Sequence, residues 1–265
     1  MLKRFWNAVT TWLMLADAFE ASCLSARIPL WPRWELLREK WHPIHTRNVR
    51  SLAGGFMIRR NRADANVLIS MPLEYGILEW NFSGRTIRVV DAGANIGCFA
   101  LYLSCFAQID RYIGIESAPE NFRLLKANME RLGTQYTAVQ TALSDKPGNL
   151  VFDLSGQPSQ FRQCATGTTL SALPLDAVAE VTELPAIDLL KIDVEGAELN
   201  VLQGAARTLA RTQHVMLEIH HEQIGQTGVA QLFSLLEREF RYLVYERSAD
   251  KRQMNCFCWR REGPA

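Results

Sequence analysis

The chain has 265 residues, of which 48% are hydrophobic and 22% are charged. These fractions are typical of globular proteins, and they exclude a collagen, a long coiled coil and a largely disordered chain. The 29 basic and 28 acidic side chains leave a formal net charge of +1, which gives no global electrostatic case for nucleic-acid binding. We therefore expect one large α/β domain, alone or with a small extension.

The first 50 residues have a pattern of their own, and we predict a helical extension over 1–50. Apolar side chains recur at three- and four-residue steps within 2–20, as on one face of an amphipathic helix. This helix can pack on the main domain, or lie on a membrane surface with Trp6 and Trp12 at the interface. A cleaved signal peptide is disfavoured because acidic residues interrupt the apolar stretch. A short helix is predicted at 33–41.

The six cysteines have neither the CxxC spacing nor the Cys/His spacing of a zinc site. A free cysteine behaves as a small apolar residue, so a reducing compartment is the simpler interpretation and we predict a cytoplasmic protein. The chain has no run of 18 apolar residues, so the sequence does not predict a helix that spans a membrane.

From residue 87 onward, short β-branched runs alternate with helical patterns of about 12 residues. Strands are predicted at 87–91, 112–116, 137–143, 188–194 and 214–220, with a closing antiparallel pair at 242–245 and 255–259. This alternation predicts βαβ units, a mainly parallel sheet and therefore an α/β fold. Ligands of such sheets bind outside the carboxyl ends of the strands, so the residues at which strands end are the candidate site.

The first strand end reads D-x-G-x-N-x-G over Asp91–Gly97, and the second strand ends in Glu116. The glycines allow a sharp turn and the close approach of a ligand, and Glu116 can accept both hydroxyls of a ribose. The loop lacks the G-x-G-x-x-G spacing of a dinucleotide site, and Asp91 would repel a pyrophosphate. A cofactor with a sulfonium and a free ammonium group suits this acid, which favours S-adenosylmethionine over NAD.

Five stretches at the strand ends resemble the FkbM-type methyltransferases, a branch of the class I S-adenosylmethionine-dependent enzymes. They are Val89–Gly97, Ile115–Phe122, Ala142–Asp145, Ile187–Glu198 and Glu218–His220. The most specific of them is K-I-D-V-E-G-A-E, which ends at Glu198. The resemblance implies a Rossmann-like fold with a seven-stranded, mainly parallel sheet and a C-terminal antiparallel hairpin. We expect this methyltransferase domain over 51–265, with its core at about 86–265.

The resemblance also implies a binding site for S-adenosylmethionine. Its expected residues are Asp91, Gly93, Asn95, Gly97, Glu116, Ser144, Asp145 and Asp193. In this assignment Glu116 holds the ribose hydroxyls, Ser144 and Asp145 lie beside the adenine, and Asp193 faces the transferred methyl group. Gly97 lets the following helix pack closely. One departure is that Ile115-Glu116-Ser117 replaces the usual F-E-P, although the acid is kept.

Methyl transfer to a hydroxyl requires a group that takes up the hydroxyl proton. We predict that His220 or Asp193 does so, because histidine titrates near neutrality and both follow strands that are expected to be neighbours. In the competing interpretation, Glu218 and His220 only hydrogen-bond to neighbouring loops. A metal site of Asp193, Glu218 and His220 is conceivable, but no ligand spacing within one element supports it, so we predict no metal.

Three further features have less specific interpretations. Lys191 interrupts a buried strand and is expected to pair with a neighbouring acid. Glu198 suits the positive end of the next helix, so helix stabilisation explains it better than chemistry does. The acceptor pocket is expected in 51–86, in 155–176 and in the loop after His221. Its candidate lining residues are Tyr75, Trp80, Phe161 and Arg162.

The sequence therefore predicts an O-methyltransferase that acts on a saccharide, a glycan or a secondary metabolite. The partners that we expect are this small-molecule or glycan acceptor, with no nucleic acid and with a peripheral membrane contact through 2–20. The first alternative is a non-catalytic module that docks to a partner or membrane through its N-terminal helix. A nicotinamide oxidoreductase is disfavoured because the glycine pattern of the dinucleotide site is missing.

Overall fold

The computed structural model of the chain describes residues 49–51, 55–59, 62–154, 162–245 and 253–261. The predicted helices within 2–20 and 33–41 lie outside these ranges. None of the helices in the described ranges has both the length and the apolar character needed to cross a membrane.

The described strands and helices alternate along the chain. The strands are β1 (Val49–Ser51), β2 (Met57–Arg59), β3 (Thr86–Ala92), β4 (Gln108–Glu116), β5 (Tyr136–Gln140), β6 (Ala142–Leu143), β7 (Gly148–Asp153), β8 (Arg162–Gln163), β9 (Thr168–Leu173), β10 (Ile187–Ile192), β11 (Thr212–Ile219), β12 (Phe240–Tyr245) and β13 (Met254–Arg260). The α-helices are α1 (Arg62–Phe82), α2 (Cys98–Ser104), α3 (Pro119–Leu132), α4 (Ala179–Thr182), α5 (Glu198–Gln203), α6 (Ala206–Ala210) and α7 (His221–Leu236). A 3-10 turn covers Leu175–Ala177.

Seven of these strands form one sheet in the order β12-β13-β11-β10-β3-β4-β5. The pairs among β11, β10, β3, β4 and β5 are parallel, and β13 is antiparallel to both of its neighbours, β11 and β12. The predicted Rossmann-like sheet with its C-terminal antiparallel hairpin is therefore confirmed. The sequence reveals this because strands buried on both faces are continuous apolar runs, as Leu189 and Leu190 in β10 illustrate.

The sheet topology brings distant residues to one edge. In the parallel register of β3 and β10, Asp91 lies beside Lys191. β4 ends on the other side of β3, and β11 ends on the other side of β10. The turns after these four strands therefore meet at the carboxyl edge, which is where such folds place their ligands.

One predicted strand and one helical segment are divided in the structure. The predicted strand 137–143 is separated into β5 and β6, and β6 belongs to a second sheet of order β6-β9-β7-β8. The helical stretch after Gly196 is separated into α5 and α6 at Gly204, where the backbone passes so close to Ser144 that a Cβ would lie 2.2 Å from its carbonyl oxygen. Neither break has a local signal, because both depend on contacts with distant segments.

Helix α1 was not predicted from the sequence. Pro72 lies inside it, and the backbone leaves helical geometry at Tyr75. A proline in a helix interior removes one hydrogen bond and kinks the helix, so the sequence of this segment does not indicate a regular helix. Packing of Tyr75, Leu78 and Phe82 in the core supports the helix nevertheless.

Candidate active site

A cleft opens at the carboxyl edge of the seven-stranded sheet. Four of the predicted cofactor residues line it: Gly93, Asn95, Glu116 and Asp193. The other four predicted positions, Asp91, Gly97, Ser144 and Asp145, do not line this cleft in the part of the chain that the structure describes. The turns after β3, β4 and β10 therefore line the cleft, whereas the predicted residues at the start of α2 and after β6 do not.

Gly93 is required by the close approach of two chain segments. Its φ of 86° lies in the left-handed region, and a Cβ there would lie 1.7 Å from the carbonyl oxygen of Asp193. The turn after β3 thus passes directly against the turn after β10, which only glycine permits.

Glu116 is held rigidly at the cleft. One carboxylate oxygen accepts a hydrogen bond from the backbone N–H of Asn95 at 2.9 Å, and the other accepts one from Ala118 at 2.8 Å. Burial raises the pKa of Glu116, and these two amide hydrogen bonds oppose the rise. A carboxylate can accept about four hydrogen bonds, so acceptor capacity remains for a ligand.

Asn95 lines the cleft, and its side-chain oxygen is buried. Its φ of 51° is left-handed, and asparagine tolerates that conformation better than most residues. Its Oδ1 atom is buried and has no hydrogen-bond partner among the described residues. An unpaired buried polar atom costs free energy.

Asp91 is a predicted cofactor residue that does not line the cleft. Its side chain is fully buried beneath the cleft, where it accepts a hydrogen bond from the Tyr112 hydroxyl and lies 3.3 Å from Lys191 Nζ. Burial raises the pKa of Asp91, while Lys191 and Tyr112 lower it. A buried carboxylate needs such partners, so its role in this structure is an internal ion pair.

Lys191 joins Asp91 to the cleft. Its Nζ atom lies 3.2 Å from Asp193 Oδ2 and 5.5 Å from the centre of the Phe99 ring. Burial alone lowers the pKa of Lys191, but Asp193 and Asp91 outweigh it and hold the pKa above its ordinary value. The expected pairing of this buried lysine with acids is therefore observed, and the pairing restrains the Asp193 carboxylate.

His220 follows β11 and is surrounded by carboxylates. Its Nδ1 atom lies 2.8 Å from Glu198 Oε1, and its Nε2 atom lies 3.4 Å from Glu195 Oε2 and 3.7 Å from Glu218 Oε1. Burial alone lowers the pKa of His220, but the hydrogen bond and charge of Glu198, with Asp193 and Glu195, raise it to about 10. The ring is therefore an imidazolium at neutral pH.

Glu218 lies beside this imidazolium. It accepts a hydrogen bond from the Tyr75 hydroxyl at 3.1 Å. Burial, and next the charge of Asp193, raise its pKa to about 8, and His220 opposes the rise. His220 contacts Glu195 in the loop after β10, and Glu218 contacts Tyr75, so the alternative in which these two residues only bind neighbouring segments stays a prediction beside the catalytic one.

The predicted acceptor-pocket residues have different positions. Tyr75 is buried and faces Glu218, whereas Trp80 is 93% exposed and does not line the cleft. Phe161 and the side chain of Arg162 lie outside the described residues. The acceptor pocket therefore remains a prediction in these segments.

The potential metal ligands that lie close together here differ from the set that the sequence suggested. The donor atoms of Asp193, Glu195 and His220 lie within 4.8 Å of one another. Oxygen and imidazole donors suit several divalent cations. The prediction of no metal stays a prediction.

Phe152 lines the cleft from β7 in the second sheet, and sequence reasoning assigned it no role. Leu143 and Thr141 lie on the same part of the cleft. An aromatic ring and an aliphatic side chain form the kind of apolar surface on which a flat base can stack. The available signal was the alternation of β7, but which of its faces meets the cleft depends on the fold.

Comparison with known proteins gives one family model, the methyltransferase FkbM domain, which matches residues 91–246. The chain is 32% identical over 139 residues to the hexuronic acid methyltransferase AglP of Haloferax volcanii, a match that covers 49% of this chain and 54% of that protein. It is 29% identical over 142 residues to methyltransferase 1 of Beauveria bassiana, covering 44% of this chain and 57% of the other. The chain thus spans little more than half the length of these two relatives.

Among solved structures, the chain is similar to the methyltransferase FkbM of Methylobacillus flagellatus KT. The TM-score is 0.49 at 17% identity, with 66% of this chain and 43% of that chain covered.

Proposed function

The chain belongs to the methyltransferase FkbM family, and from this premise we propose that it transfers a methyl group from S-adenosylmethionine to a hydroxyl of a saccharide, glycan or secondary metabolite. The observation that carries the proposal is the cleft in which Glu116 and Asn95 face Asp193 across the carboxyl edge of the sheet. A non-catalytic module is not favoured, because the buried charges at this edge are arranged around an open cleft.

The cofactor would lie along this cleft. We assign the ribose hydroxyls to Glu116, whose carboxylate is already oriented by two backbone amides. The adenine would lie towards Phe152 and Leu143, and the methionine end towards Asn95 and Asp193. When bound, the cofactor supplies an activated methyl group with a neutral thioether as leaving group, so the protein's tasks are positioning and exclusion of water.

The acceptor hydroxyl loses its proton as the new bond to the methyl carbon forms. We assign its uptake to His220 or Asp193, the two predicted candidates; Asp193 lines the cleft, and His220 does not line it but lies within 4.8 Å of Asp193. Because the pKa of His220 is raised to about 10, most of the ring is protonated at neutral pH, and only the deprotonated fraction can act as base. If His220 is the base, activity will increase with pH through the alkaline range.

The acceptor class is taken from chemistry and from one relative. Hexuronic acid is the acceptor named for the Haloferax volcanii protein, and we propose a hydroxylated sugar of this kind for this chain. A cytoplasmic location and a membrane contact through 2–20 stay predictions.

Cofactor binding is tested by calorimetry with S-adenosylmethionine, S-adenosylhomocysteine and NAD. We expect the first two to bind and NAD not to bind. The Glu116→Gln variant should bind S-adenosylhomocysteine roughly 10- to 100-fold more weakly, since a hydrogen bond to a charged group contributes about 1.5–3 kcal/mol. Glu130→Gln, the same change on the exposed face of α3, is the control. Equal affinities of both variants would refute the assignment of Glu116.

Catalysis is tested with methyl-labelled S-adenosylmethionine and a panel of hexuronic acids, uronate-containing oligosaccharides and neutral sugars. We expect labelled product, and a decrease in turnover of roughly 100-fold or more for whichever of His220→Ala and Asp193→Asn removes the base. In His220→Ala, cofactor affinity should stay near that of the native protein. Full turnover in both variants would show that neither residue accepts the proton.

A further inference from the structure

Glu198 has an environment that helix stabilisation does not explain. It is the first residue of α5, yet its side chain is fully buried, whereas an acid that only complements a helix end can stay in water. α5 has six residues, and the dipole of so short a helix gives little compensation for burying a carboxylate. The partners of Glu198 therefore have to account for its position.

Two donors meet one oxygen of Glu198. Its Oε1 atom accepts a hydrogen bond from the backbone N–H of Gly196 at 2.9 Å and lies 2.8 Å from Nδ1 of His220. Its Oε2 atom is buried and has no hydrogen-bond partner among the described residues. The carboxylate is thus paired through one oxygen, and His220 is the cationic group that this oxygen contacts.

This contact decides which ring nitrogen of His220 is turned towards Glu195, a residue that lines the cleft, whereas His220 itself does not line it. Nδ1 points to Glu198, so Nε2 is the nitrogen that lies near Glu195 at 3.4 Å. A carboxylate oxygen of Asp193 and one of Glu195 lie within 4.8 Å of a ring nitrogen of His220. Both acidic residues line the cleft. When a carboxylate binds one ring nitrogen of a histidine, it fixes the orientation of the ring and determines which form the other nitrogen takes.

We propose that Glu198 is a positioning residue, which holds the imidazole of His220 by Nδ1 and directs Nε2 to the end of the cleft at which the methyl group is transferred. The inference rests on the proposed function in so far as it assigns a use to Nε2. The hydrogen bond to Glu198 is also the largest cause that raises the pKa of His220. The other charged groups around the ring are Asp193, Glu195 and Glu218.

The first experiment observes the ring directly and needs no acceptor. The chain has five histidines, so protein labelled with ¹⁵N-histidine gives few ring N–H signals, and the one that is absent in His220→Asn identifies His220. We expect a hydrogen-bonded Nδ1–H signal in the native protein, protected from solvent exchange by burial. It should disappear in Glu198→Ala and persist, shifted, in Glu198→Gln, because glutamine keeps an acceptor oxygen.

An Nδ1–H signal that Glu198→Ala leaves unchanged would overturn the proposal, whatever the kinetics. Glu198→Gln covers the case in which the alanine variant does not fold, because a glutamine signal identical in shift and exchange rate to the native one would equally argue against the contact. Glu130→Ala on the exposed face of α3 is the matched control and should leave the His220 signal in place.

The second experiment measures methyl transfer in a double-mutant cycle. Glu198→Ala should reduce kcat roughly 10- to 100-fold, the usual cost of removing the outer partner of a functional histidine. The affinity for S-adenosylhomocysteine should remain native, and Glu198→Gln should restore part of kcat. The pair Glu198→Ala with His220→Ala should be no slower than His220→Ala alone, because residues that act as one unit are not additive.

The outcomes separate the inference from the proposed function. Multiplicative losses in the double variant would show that Glu198 acts independently of His220 and would overturn the inference. No methyl transfer to any acceptor of the panel would count against the proposed function, while the ring spectrum would still decide whether Glu198 positions His220.

Discussion

A single methyl group at position 93 would separate the two turns that form the floor of the cleft. The backbone of Gly93 is left-handed and lies against the carbonyl of Asp193, so the site depends on the absence of a side chain. The same glycine-containing motif also holds Asn95, whose backbone N–H orients Glu116. Local backbone geometry, rather than charge alone, therefore sets the binding surface.

We predict that Gly93→Ala destabilises the protein by about 1–3 kcal/mol from backbone strain alone, and by more once the turns have moved apart. Cofactor affinity should decrease with it, because the turns that carry Asn95 and Asp193 shift. Gly148→Ala is the control, since no atom lies within 4 Å of the added methyl. It should change stability by no more than about 0.5 kcal/mol. Urea unfolding measures both variants, and a similar effect in the two would contradict the argument.

At the scale of elements, a buried polar contact joins β2 and α1 to α3. Arg59 Nη2 lies 2.9 Å from Asp64 Oδ1, each side chain is 1% exposed, and Nη1 of Arg59 donates to Asn121 Oδ1 at 2.7 Å. Asn121 lies in the first turn of α3 and lines the cleft. This network therefore connects the segment before the large sheet to the edge of the site.

Breaking this network should lower the free energy of unfolding substantially. We predict that Arg59→Met destabilises the protein by roughly 3–5 kcal/mol, because it leaves the buried Asp64 carboxylate without its cation. Arg207→Met is the matched control, since the Arg207 side chain is 78% exposed beside Asp176 and such pairs contribute about 0–1 kcal/mol. Denaturant midpoints compare the two variants, and a cost for Arg59→Met below that of the control would refute the prediction.

At the scale of the whole molecule, the sheet concentrates buried charge at one edge. Asp91, Lys191, Asp193, Glu218 and His220 come from three strands and the turns after them, and they meet because β3, β10 and β11 are parallel neighbours. Folding raises the pKa values of His220 and Glu218 at this edge. The free energy of unfolding is therefore linked to pH through this edge.

The sign of that linkage follows from the raised pKa values. His220 has a pKa of about 10 in the folded protein against an ordinary 6.5, and Glu218 has about 8 against 4.5. Both groups hold protons in the folded state that the unfolded chain releases. The stability from His220 is complete below about pH 6.5 and is lost as the pH rises through about 10. The stability from Glu218 is complete below about pH 4.5 and is lost as the pH rises through about 8.

We predict that the stability advantage of the native protein over His220→Gln decreases between pH 7 and pH 10. The decrease should be at least about 1.4 kcal/mol, the equivalent of one pKa unit. Comparing the two proteins cancels the titration of groups remote from the site. Urea unfolding at several pH values measures it, and a constant difference would show that the folded pKa of His220 is not raised.

Much of the architecture could be predicted from the sequence by itself, because its signals are local. Buried parallel strands are apolar runs, strand ends bear glycines and acids, and the block that ends at Glu198 identified the FkbM family, which the family model confirms. These patterns located Gly93, Asn95, Glu116 and Asp193, four residues that line the observed cleft.

Only the tertiary structure decided which of the chemically capable side chains face the cleft. Asp91 has the sequence position of a ligand contact but is buried between Tyr112 and Lys191. Glu198 has the position of a helix-end acid but contacts His220, 22 positions along the chain. The physical reason is that side-chain direction and charge pairing depend on which segments pack together, and strand pairing brings together residues that no local pattern relates.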